Sequence, residues 1–503
     1  MRLNILIGGE AGQGPNFLAE IIARGLIAKG YNVFTSRDYQ SLIRGGHNFN
    51  LLSFSDKPIA SNSNGVDILI PLDDKTESIH RKELNKKCII LEHSKSNVFY
   101  AGCIYKILDL DFKVLKNQLQ GLKNFDKNLK EAIQGFNSTK QRLKIPPIKN
   151  KRLGYIDGSQ AVAQGAIASK VETYYAYPMT PATGVMVHLA QSMKNPKNKH
   201  LVVELENEIG VINAACGSAV VGSKAMLGTS GGGFDLMTEA LSMTGIAEIP
   251  LVIYLASRVG PGTGAATYKE QGDLKDALYA GHGEFPRVVI APGDAKEAIE
   301  LTTQAFYFSQ KFKIPCIILS DKHLAEAKYS FINNPKLTKP IKTVTKPEKF
   351  HSYTHNSQGI AVEDAEGIIK AKESLIKKQQ LINKESKKFQ TYKLHGRKQS
   401  KNLVIGWGST KGAVLDAITE NNLDCKFLQI LYLKPFSSEI RDILRKHNPK
   451  KIFVIENNST SQLSCLIAHK ACISIPQQNK ILKYNGSPFT STEVADKLKK
   501  VLK

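Results

Sequence analysis

Six short apolar segments in the middle of this 503-residue chain alternate with helical patterns, and this alternation restricts the possible folds more than any other feature. The predicted strands are residues 173–176, 201–204, 224–229, 250–256, 287–291 and 315–320. Strands that alternate with helices form a mostly parallel, doubly wound sheet. Ligands of such sheets bind at the carboxyl ends of the strands. The residues that follow these six segments are therefore the candidates for a functional site.

The same alternation occurs on both sides of this block, and a chain of this length is expected to form about three domains of ~150 residues each. We predict an α/β domain at residues 1–150 and the central sheet at 151–333. A basic connector with a helix at 358–383 follows at residues 334–401, and a smaller α/β domain at 402–503. The predicted fold class is therefore multidomain α/β, built from doubly wound, mostly parallel sheets.

The first domain opens with a strand at 4–7, a glycine turn at 8–14, a helix and a second strand at 32–35. Free N–H groups at the start of that helix can face an anion, but a glycine turn equally suits a tight strand-to-helix junction. Asp38 is only a loose candidate for the acidic residue of a dinucleotide site, so no such site is assigned. Farther on, Arg44-Gly45-Gly46 precedes His47, for which a structural role is expected.

The formal net charge of +24 is large enough to attract nucleic acid. Residues 111–152 contain eleven Lys/Arg against three Asp/Glu, and residues 334–401 contain sixteen against six. These basic residues are mostly lysines without interleaved aromatic residues, so nucleic acid is not an expected partner. We interpret the two stretches as solvated linker faces; a surface for an acidic partner, such as a small electron carrier, is the alternative.

The apolar and cysteine patterns predict a cytoplasmic protein. No apolar run approaches the roughly 18–20 residues of a membrane span, and the first residues predict a buried strand rather than a signal peptide. The seven cysteines are Cys88, Cys103, Cys216, Cys316, Cys425, Cys465 and Cys472. They lack the close spacing of a zinc or iron–sulfur site, and their scatter is typical of reduced thiols. We expect no metal site in this chain, so any iron–sulfur cluster would lie on a partner chain.

The segment Tyr177-Pro178-Met179-Thr180-Pro181 follows the first of the six strands. Its two prolines fix φ and keep the preceding residues out of helix. A rigid loop at the end of a strand can orient a substrate, although the segment could also be only a tight loop.

A carboxylate follows the second strand, just before a run of small apolar residues that predicts a buried helix. Glu208 is the candidate, because a buried acid can exchange a proton with a heterocyclic nitrogen. A capping role at the helix start is the alternative. Glu204 and Glu206 compete with Glu208, since strand alternation places all three on one face.

Two further segments complete the candidate site. The glycine turn at 228–233 permits close approach by a ligand, and Gly231 and Gly232 are its candidate contacts. Arg258 follows the next predicted strand and could pair bidentately with a carboxylate; taken alone, it would be interpreted as a surface ion-pair residue. Thr267, in the same glycine-rich loop, could donate to a neighbouring carbonyl oxygen.

In their order, these segments resemble the 2-oxoacid:ferredoxin oxidoreductases, in the form in which the gamma and alpha parts are fused. The resemblance spans nearly the whole sequence. Its gamma-like motifs are residues 8–14 and Arg44-Gly45-Gly46. Its alpha-like motifs are residues 177–181, 206–210, 228–233, 258–267, 270–274 and 282–284, and its C-terminal motifs are 433–436, 456–458 and 484–489. The chain departs slightly from the family pattern at Met179, Gly232 and Ser461, where isoleucine, proline and glycine are usual.

The resemblance implies CoA-dependent oxidative decarboxylation of a 2-oxoacid, with electrons passed to ferredoxin. The central domain would be of the pyrimidine-binding type, and the last domain similar to the transketolase C-terminal domain. Thiamine diphosphate and Mg²⁺ would be shared with a beta subunit that also carries the iron–sulfur cluster. The position of Glu208 implies contact with the aminopyrimidine ring, and those of Thr180, Arg258 and Thr267 imply binding of the 2-oxoacid.

We expect 2-oxoglutarate as the substrate, with pyruvate, branched-chain and aryl oxoacids left open. Two alternatives remain at this point. One is another thiamine-dependent oxoacid enzyme, such as a pyruvate or aryl-pyruvate oxidoreductase. The other is a non-catalytic basic scaffold subunit.

Overall fold

The computed structural model describes residues 1–40, 46–149, 153–342 and 351–502, which form two compact units. The first unit comprises Met1–Ile156, Ala327–Asn334 and Thr490–Asp496. The second comprises Asp157–Glu326, Pro335–Phe489 and Lys497–Lys503. Arg44 and Gly45 of the predicted gamma-like motif lie outside the described residues.

Strands and helices follow one another along the whole described chain. Up to the central sheet they are β1 (Arg2–Glu10), α1 (Pro15–Ala28), β2 (Asn32–Asp38), β3 (His47–Ser55), β4 (Val66–Pro71), α2 (Thr76–His80), β5 (Leu84–Ile90), α3 (Asn97–Ile107), α4 (Phe112–Leu119), α5 (Phe125–Asn137) and β6 (Leu153–Asp157). The central elements are α6 (Gly158–Ala168), β7 (Thr173–Ala176), α7 (Thr183–Ser192), β8 (Leu201–Glu204), α8 (Glu208–Val220), β9 (Ala225–Thr229), α9 (Gly231–Leu236), α10 (Thr238–Ile246), β10 (Leu251–Ser257), α11 (Leu274–Tyr279), β11 (Val288–Ile290), α12 (Ala295–Phe312), β12 (Pro315–Asp321), α13 (Lys322–Glu326) and β13 (Lys328–Ile332). The remaining elements are α14 (Ala365–Ser386), β14 (Tyr392–Gly396), β15 (Leu403–Trp407), α15 (Thr410–Asn421), β16 (Lys426–Ile430), β17 (Tyr432–Lys434), α16 (Ser438–Arg445), β18 (Ile452–Glu456), α17 (Gln462–Ala471), β19 (Lys480–Leu482) and α18 (Ser491–Val501).

The first unit contains a seven-stranded sheet in the order β5-β4-β1-β3-β2-β13-β6. The predicted strand–helix–strand start is present as β1, α1 and β2, but β3 lies between the two strands and pairs antiparallel with both. β13 pairs antiparallel with β2 and so joins this sheet, although the sequence-based boundary at residue 333 groups it with the central block. Pairing between strands so far apart in sequence leaves no local signal.

Two helices form in the first part of the basic stretch that begins at residue 111. α4 and α5 pack on the hydrophobic core of the first unit, where Leu115, Leu119 and Ala132 are fully buried. Leu115 and Leu119 are four residues apart and therefore lie on one helical face. Part of the stretch interpreted from its charge as linker is thus two amphipathic helices.

The second unit contains another seven-stranded sheet, in the order β17-β11-β12-β10-β9-β7-β8. Its neighbouring strands pair in parallel, apart from the edge pair β11–β17. Every residue of β10 is buried, which is typical of a parallel strand covered on both faces. All six strands predicted between residues 173 and 320 occur in this sheet, and the predicted α/β class is confirmed.

A five-stranded sheet in the order β14-β16-β15-β18-β19 completes the second unit. One hydrophobic core joins it to the seven-stranded sheet and includes Leu255, Ile317, Trp407 and Val454. Ser461, at the position where the family usually has glycine, has a φ of 49°. Its hydroxyl donates to Glu456 Oε1 at 3.1 Å, and this contact supports the left-handed backbone in the absence of glycine.

Candidate active site

Four of the predicted site segments lie at the carboxyl ends of parallel strands in the seven-stranded sheet of the second unit. Tyr177 follows β7, Glu208 follows β8, Gly231 follows β9 and Arg258 follows β10. These strands are neighbours in the order β10-β9-β7-β8 and run parallel. Their carboxyl ends therefore meet at one edge, as the sequence predicts.

The proline-braced loop is joined directly to Arg258. Tyr177 and Pro178 are exposed, Met179 and Thr180 are half-buried, and Pro181 is buried. Arg258 Nη1 donates a hydrogen bond to the backbone oxygen of Thr180 at 2.9 Å. Two segments 78 residues apart in sequence are thus held against each other.

Glu208 is the buried member of the three competing carboxylates. Its side chain is 5 % exposed, whereas Glu204 and Glu206 are exposed. Glu208 is the first residue of α8, and the cap is its neighbour Asn207, whose side chain accepts the Gly210 N–H at 2.8 Å. The carboxylate of Glu208 is therefore not needed for capping and remains available for another contact.

The glycine turn after β9 makes room for that carboxylate. A Cβ atom at Gly233 would lie 2.7 Å from Glu208 Oε1 and 2.3 Å from Thr229 Oγ1. Glu208 Oε1 is buried and has no hydrogen-bond partner within the described chain. A buried carboxylate oxygen without a donor is costly, so this atom is suited to receive a donor from a bound molecule.

Asp273 joins this group, although its part in the site was not predicted. It precedes α11, and a Cβ atom at Gly231 would lie 2.9 Å from each of its carboxylate oxygens. Burial, followed by the negative charges of Asp276, Asp235 and Glu270, raises the pKa of Asp273 to about 7. Its segment was recognised only as a family motif, because its approach to the glycine turn depends on tertiary contacts.

Arg258 lies in the electrostatic field of both acids. Burial lowers the pKa of its guanidinium, while Asp273 and Glu208 oppose that shift. Its Nε atom is buried and has no hydrogen-bond partner among the described residues. One edge of the guanidinium thus contacts the Thr180 loop, and its Nε–H is a buried donor without an acceptor among the described residues.

Thr267 is buried at 6 % exposure in the loop between Arg258 and α11. The structure shows no hydrogen bond from Thr267 to Thr180 or Arg258 in the described part of the chain. It thus places Thr267 in the loop that begins at Arg258 without joining it to these two groups.

The loop that carries Thr267 and Asp273 is supported by the five-stranded sheet of the same unit. Gln271 is fully buried; its side chain donates to the Trp407 carbonyl at 3.1 Å and accepts the Asn457 N–H at 3.1 Å. The Lys269 N–H donates to the Gly486 carbonyl at 2.9 Å. The motifs at residues 456–458 and 484–489 therefore serve as supports for this loop.

In the first unit, the glycine turn at 8–14 packs against Gln13 of the turn itself and against side chains from elsewhere in the unit. A Cβ atom at Gly9 would lie 2.3 Å from Gln13 Oε1, and one at Gly8 would lie 2.9 Å from His47 Cε1. His47 Nε2 is 2.8 Å from His80 Nε2. The turn thus needs glycine for close packing, as in the tight-junction interpretation.

Two absences among the described residues bear on the class of site. No group of three or more His, Cys, Asp or Glu side chains in the described ranges could hold a metal ion. No helix in the same ranges is long and apolar enough to cross a membrane.

Two family models match the chain. The model described as "Pyruvate flavodoxin/ferredoxin oxidoreductase, thiamine diP-bdg" matches residues 164–398. The model described as "Pyruvate ferredoxin/flavodoxin oxidoreductase" matches residues 4–98. The first range contains all the proposed catalytic and substrate-binding residues described above.

Two curated proteins are similar to this chain, the first of them over its whole length. The 2-oxoacid:ferredoxin oxidoreductase subunit alpha of a Sulfolobus species is 30% identical over an alignment covering 100% of this chain and 97% of that protein. The 2-oxoglutarate synthase subunit KorA of Archaeoglobus fulgidus is 38% identical over 34% of this chain and 50% of that subunit.

A solved structure shares the fold. The 2-oxoglutarate:ferredoxin oxidoreductase of Magnetococcus marinus, solved with 2-oxoglutarate, coenzyme A and succinyl-CoA bound, superposes with a TM-score of 0.87. Its identity to this chain is 22%, with 100% of both chains covered.

Proposed function

This chain belongs to the 2-oxoacid:ferredoxin oxidoreductase family of alpha subunits, and from that premise we propose that it is the fused gamma–alpha subunit of such an enzyme. The complete enzyme would convert a 2-oxoacid and CoA to acyl-CoA and CO2 and pass the electrons to ferredoxin. The main support is that Glu208, Arg258 and the Gly231–Gly233 turn lie together at the carboxyl ends of neighbouring strands. Within the described chain, Glu208 Oε1 and Arg258 Nε are buried and have no hydrogen-bond partner.

The residues present suit thiamine diphosphate. Glu208 Oε1 is a buried acceptor without a donor among the described residues, and the missing side chain of Gly233 leaves room beside it. An aminopyrimidine ring offers a nitrogen that can share a proton with such a carboxyl group. In this proposal Glu208 holds that proton, and Gly231 and Gly232 let the backbone approach the cofactor, which supplies the chemistry of carbon–carbon bond cleavage.

Arg258 is proposed to bind the carboxylate of the 2-oxoacid. Its Nη1 is occupied by the Thr180 carbonyl, which fixes the plane of the guanidinium. Its buried Nε gains a partner only when an anion arrives. Tyr177, Pro178, Met179, Thr180 and Pro181 then form the rigid wall beside the substrate, and Thr267 is proposed to donate to its carbonyl oxygen.

A beta subunit is the proposed partner at this sheet edge. Large apolar side chains next to the site segments remain exposed: Tyr177 at 39 %, Ile209 at 53 %, Leu236 at 53 % and Tyr268 at 45 %. A set of exposed apolar side chains of this size is typical of a protein–protein interface. We propose that the beta subunit covers them and supplies Mg²⁺ binding and the iron–sulfur cluster.

The substrate proposal is 2-oxoglutarate. The support is that one similar subunit is a 2-oxoglutarate synthase subunit and that the solved structure with the same fold contains 2-oxoglutarate and CoA.

The proposal includes a cytoplasmic location, because the scattered cysteines suit a reducing compartment. The comparisons do not favour the non-catalytic scaffold.

The test combines the full chain with its beta subunit and measures methyl-viologen reduction by several oxoacids. Glu208→Gln should keep the assembly intact and reduce turnover by about 10²–10⁴-fold, because it removes a group for acid–base catalysis. Glu206→Gln is the matched control, since that carboxylate is exposed. Turnover of Glu208→Gln equal to that of the control would reject the assignment, and faster reduction with pyruvate than with 2-oxoglutarate would reject the substrate.

A further inference from the structure

A cavity of about 440 Å³ lies at the amino ends of the parallel strands of the seven-stranded sheet in the second unit. Lys434 ends β17 and lines this cavity, and β17 runs antiparallel to β11. Arg287 immediately precedes β11 and therefore lies at the same end of the strands. The predicted active-site residues lie at the carboxyl ends of the parallel strands, so this cavity is separate from them.

Every charged residue in the lining of this cavity is a cation. Lys434, Arg441 and Lys470 contribute from β17, α16 and α17, and Arg287, which does not line the cavity, acts electrostatically on Lys434. Burial, followed by the positive charges of Arg287 and Lys470, lowers the pKa of Lys434 to about 8. The like charges thus act on one another across the cavity.

These cations have few counter-charges. Lys434, Lys470 and Arg287 form no ion pair with any carboxylate in the described ranges. Arg441 has only its chain neighbour Asp442, with Nε 3.9 Å from Oδ1 and side chains that are 42 % and 60 % exposed. Its Nε atom is buried and has no hydrogen-bond partner among the described residues.

Arg287 also lacks a carboxylate partner among the described residues. Its side chain is 2 % exposed, and its Nε atom has no hydrogen-bond partner in the described part of the chain. The guanidinium stacks 4.3 Å from the centre of the Phe285 ring and makes a long 3.5 Å contact with the Ala277 carbonyl. These contacts carry no formal negative charge, so the cluster retains its positive field.

The other lining residues suit an organic group. Tyr279 is 57 % exposed at the cavity, and Phe436 is half-buried in the same lining. Aromatic faces of this kind stack on planar heterocycles, and the cavity volume lies in the range of small-molecule sites. The cavity is also several times larger than a phosphate ion.

We propose that this cavity binds an organic phosphate of nucleotide size, with Lys434, Arg441 and Lys470 around the phosphate and Tyr279 beside the organic group. Several cations favour a phosphate over a single carboxylate, because a phosphate carries more than one charge and accepts bidentate arginine contacts.

The test uses ADP as the probe and Lys434 as the reporter. The full chain is acetylated with a trace of amine reagent near pH 8, where a lysine of lowered pKa reacts readily, and each lysine is quantified by mass spectrometry. ADP at about ten times its dissociation constant should slow the labelling of Lys434 roughly tenfold. Lys387, which is exposed and outside the cavity, should label at an unchanged rate.

Two variants locate the binding. Arg441→Gln should weaken the protection of Lys434 by ADP at least about tenfold in apparent affinity, as expected for loss of a charged contact. Arg445→Gln is the matched control, because Arg445 lies on the same helix but does not line the cavity. Thermal melting of both variants confirms that each is folded.

Four results would overturn the proposal. These are Lys434 labelling unaffected by ADP, equal protection by adenosine, equal protection by inorganic phosphate at the same concentration, and Arg441→Gln protected as well as the natural chain. Protection by ADP that is lost only in Arg441→Gln supports it.

Discussion

The replacement of Gly233 by alanine tests the geometry of the proposed active site most directly. The new Cβ atom would lie 2.7 Å from Glu208 Oε1 and 2.3 Å from Thr229 Oγ1, against about 3.4 Å for an ordinary contact, so both side chains must move. The carboxylate must therefore retreat by roughly 0.7 Å. A misplacement of about 1 Å costs on the order of 10²-fold in rate. We expect turnover to fall about ten- to a hundredfold.

The same replacement should change stability little. Overpacking costs about 1–3 kcal/mol, while alanine in a helix is about 1 kcal/mol better than glycine. The net change in the free energy of unfolding should be a loss of about 0–2 kcal/mol. Turnover is measured by methyl-viologen reduction in the assembled enzyme, and the free energy of unfolding by urea denaturation of the chain alone.

Gly217→Ala is the matched control for this prediction. Gly217 lies in α8, the helix that begins with Glu208, and a Cβ atom there would meet nothing within 4 Å. This variant should keep full turnover. The reasoning about Glu208 is wrong if Gly233→Ala retains full turnover and normal thiamine diphosphate affinity, or if the control loses as much activity.

Three further variants probe the surroundings of Glu208. Arg258→Ala should raise the apparent KM for the oxoacid at least about tenfold, since a charged hydrogen bond contributes about 1.5–3 kcal/mol; steady-state kinetics over a range of oxoacid concentrations measure it. Asp273 has a folded-state pKa of about 7, above its unfolded value, so it weakens the fold as pH rises from about 4 to 7. Between pH 5 and pH 8 this loss is at most about 3 kcal/mol, from roughly two pH units below the folded pKa at about 1.4 kcal/mol each. Asp273→Asn should remove it in urea denaturation compared at these two pH values; equal pH dependence in both proteins would contradict this. Gln271→Leu should lower the free energy of unfolding by about 2–4 kcal/mol, because the Trp407 carbonyl and the Asn457 N–H both lose buried partners; an unchanged melting temperature would refute this account.

The sequence alone determined the class of fold and the order of the site segments. Apolar segments alternating with helical patterns predicted six strands of the seven-stranded sheet of the second unit, and the bounds of these six fall within one residue of those expected. The seventh strand, β17, was not predicted. The predicted helix at 358–383 occurs as Ala365–Ser386. These are local signals, since each depends on residues within a single element.

Only the tertiary structure decided which side chains meet. The sequence left Glu204, Glu206 and Glu208 as alternatives, and burial beside Gly233 separates Glu208 from the other two. The contact of Arg258 with Thr180 joins segments 78 residues apart. Asp273 enters the site because its loop is held by residues of another sheet.

The dependence on tertiary contacts also explains the features of the fold that the sequence did not predict. β3 lies between β1 and β2, and β13 returns to their sheet from nearly 300 residues away in sequence. The basic stretch from residue 111 forms helices because its leucines bury, although its charge suggested a linker. A local pattern shows which face of an element is apolar, but the partner that covers that face is chosen by packing of the whole chain.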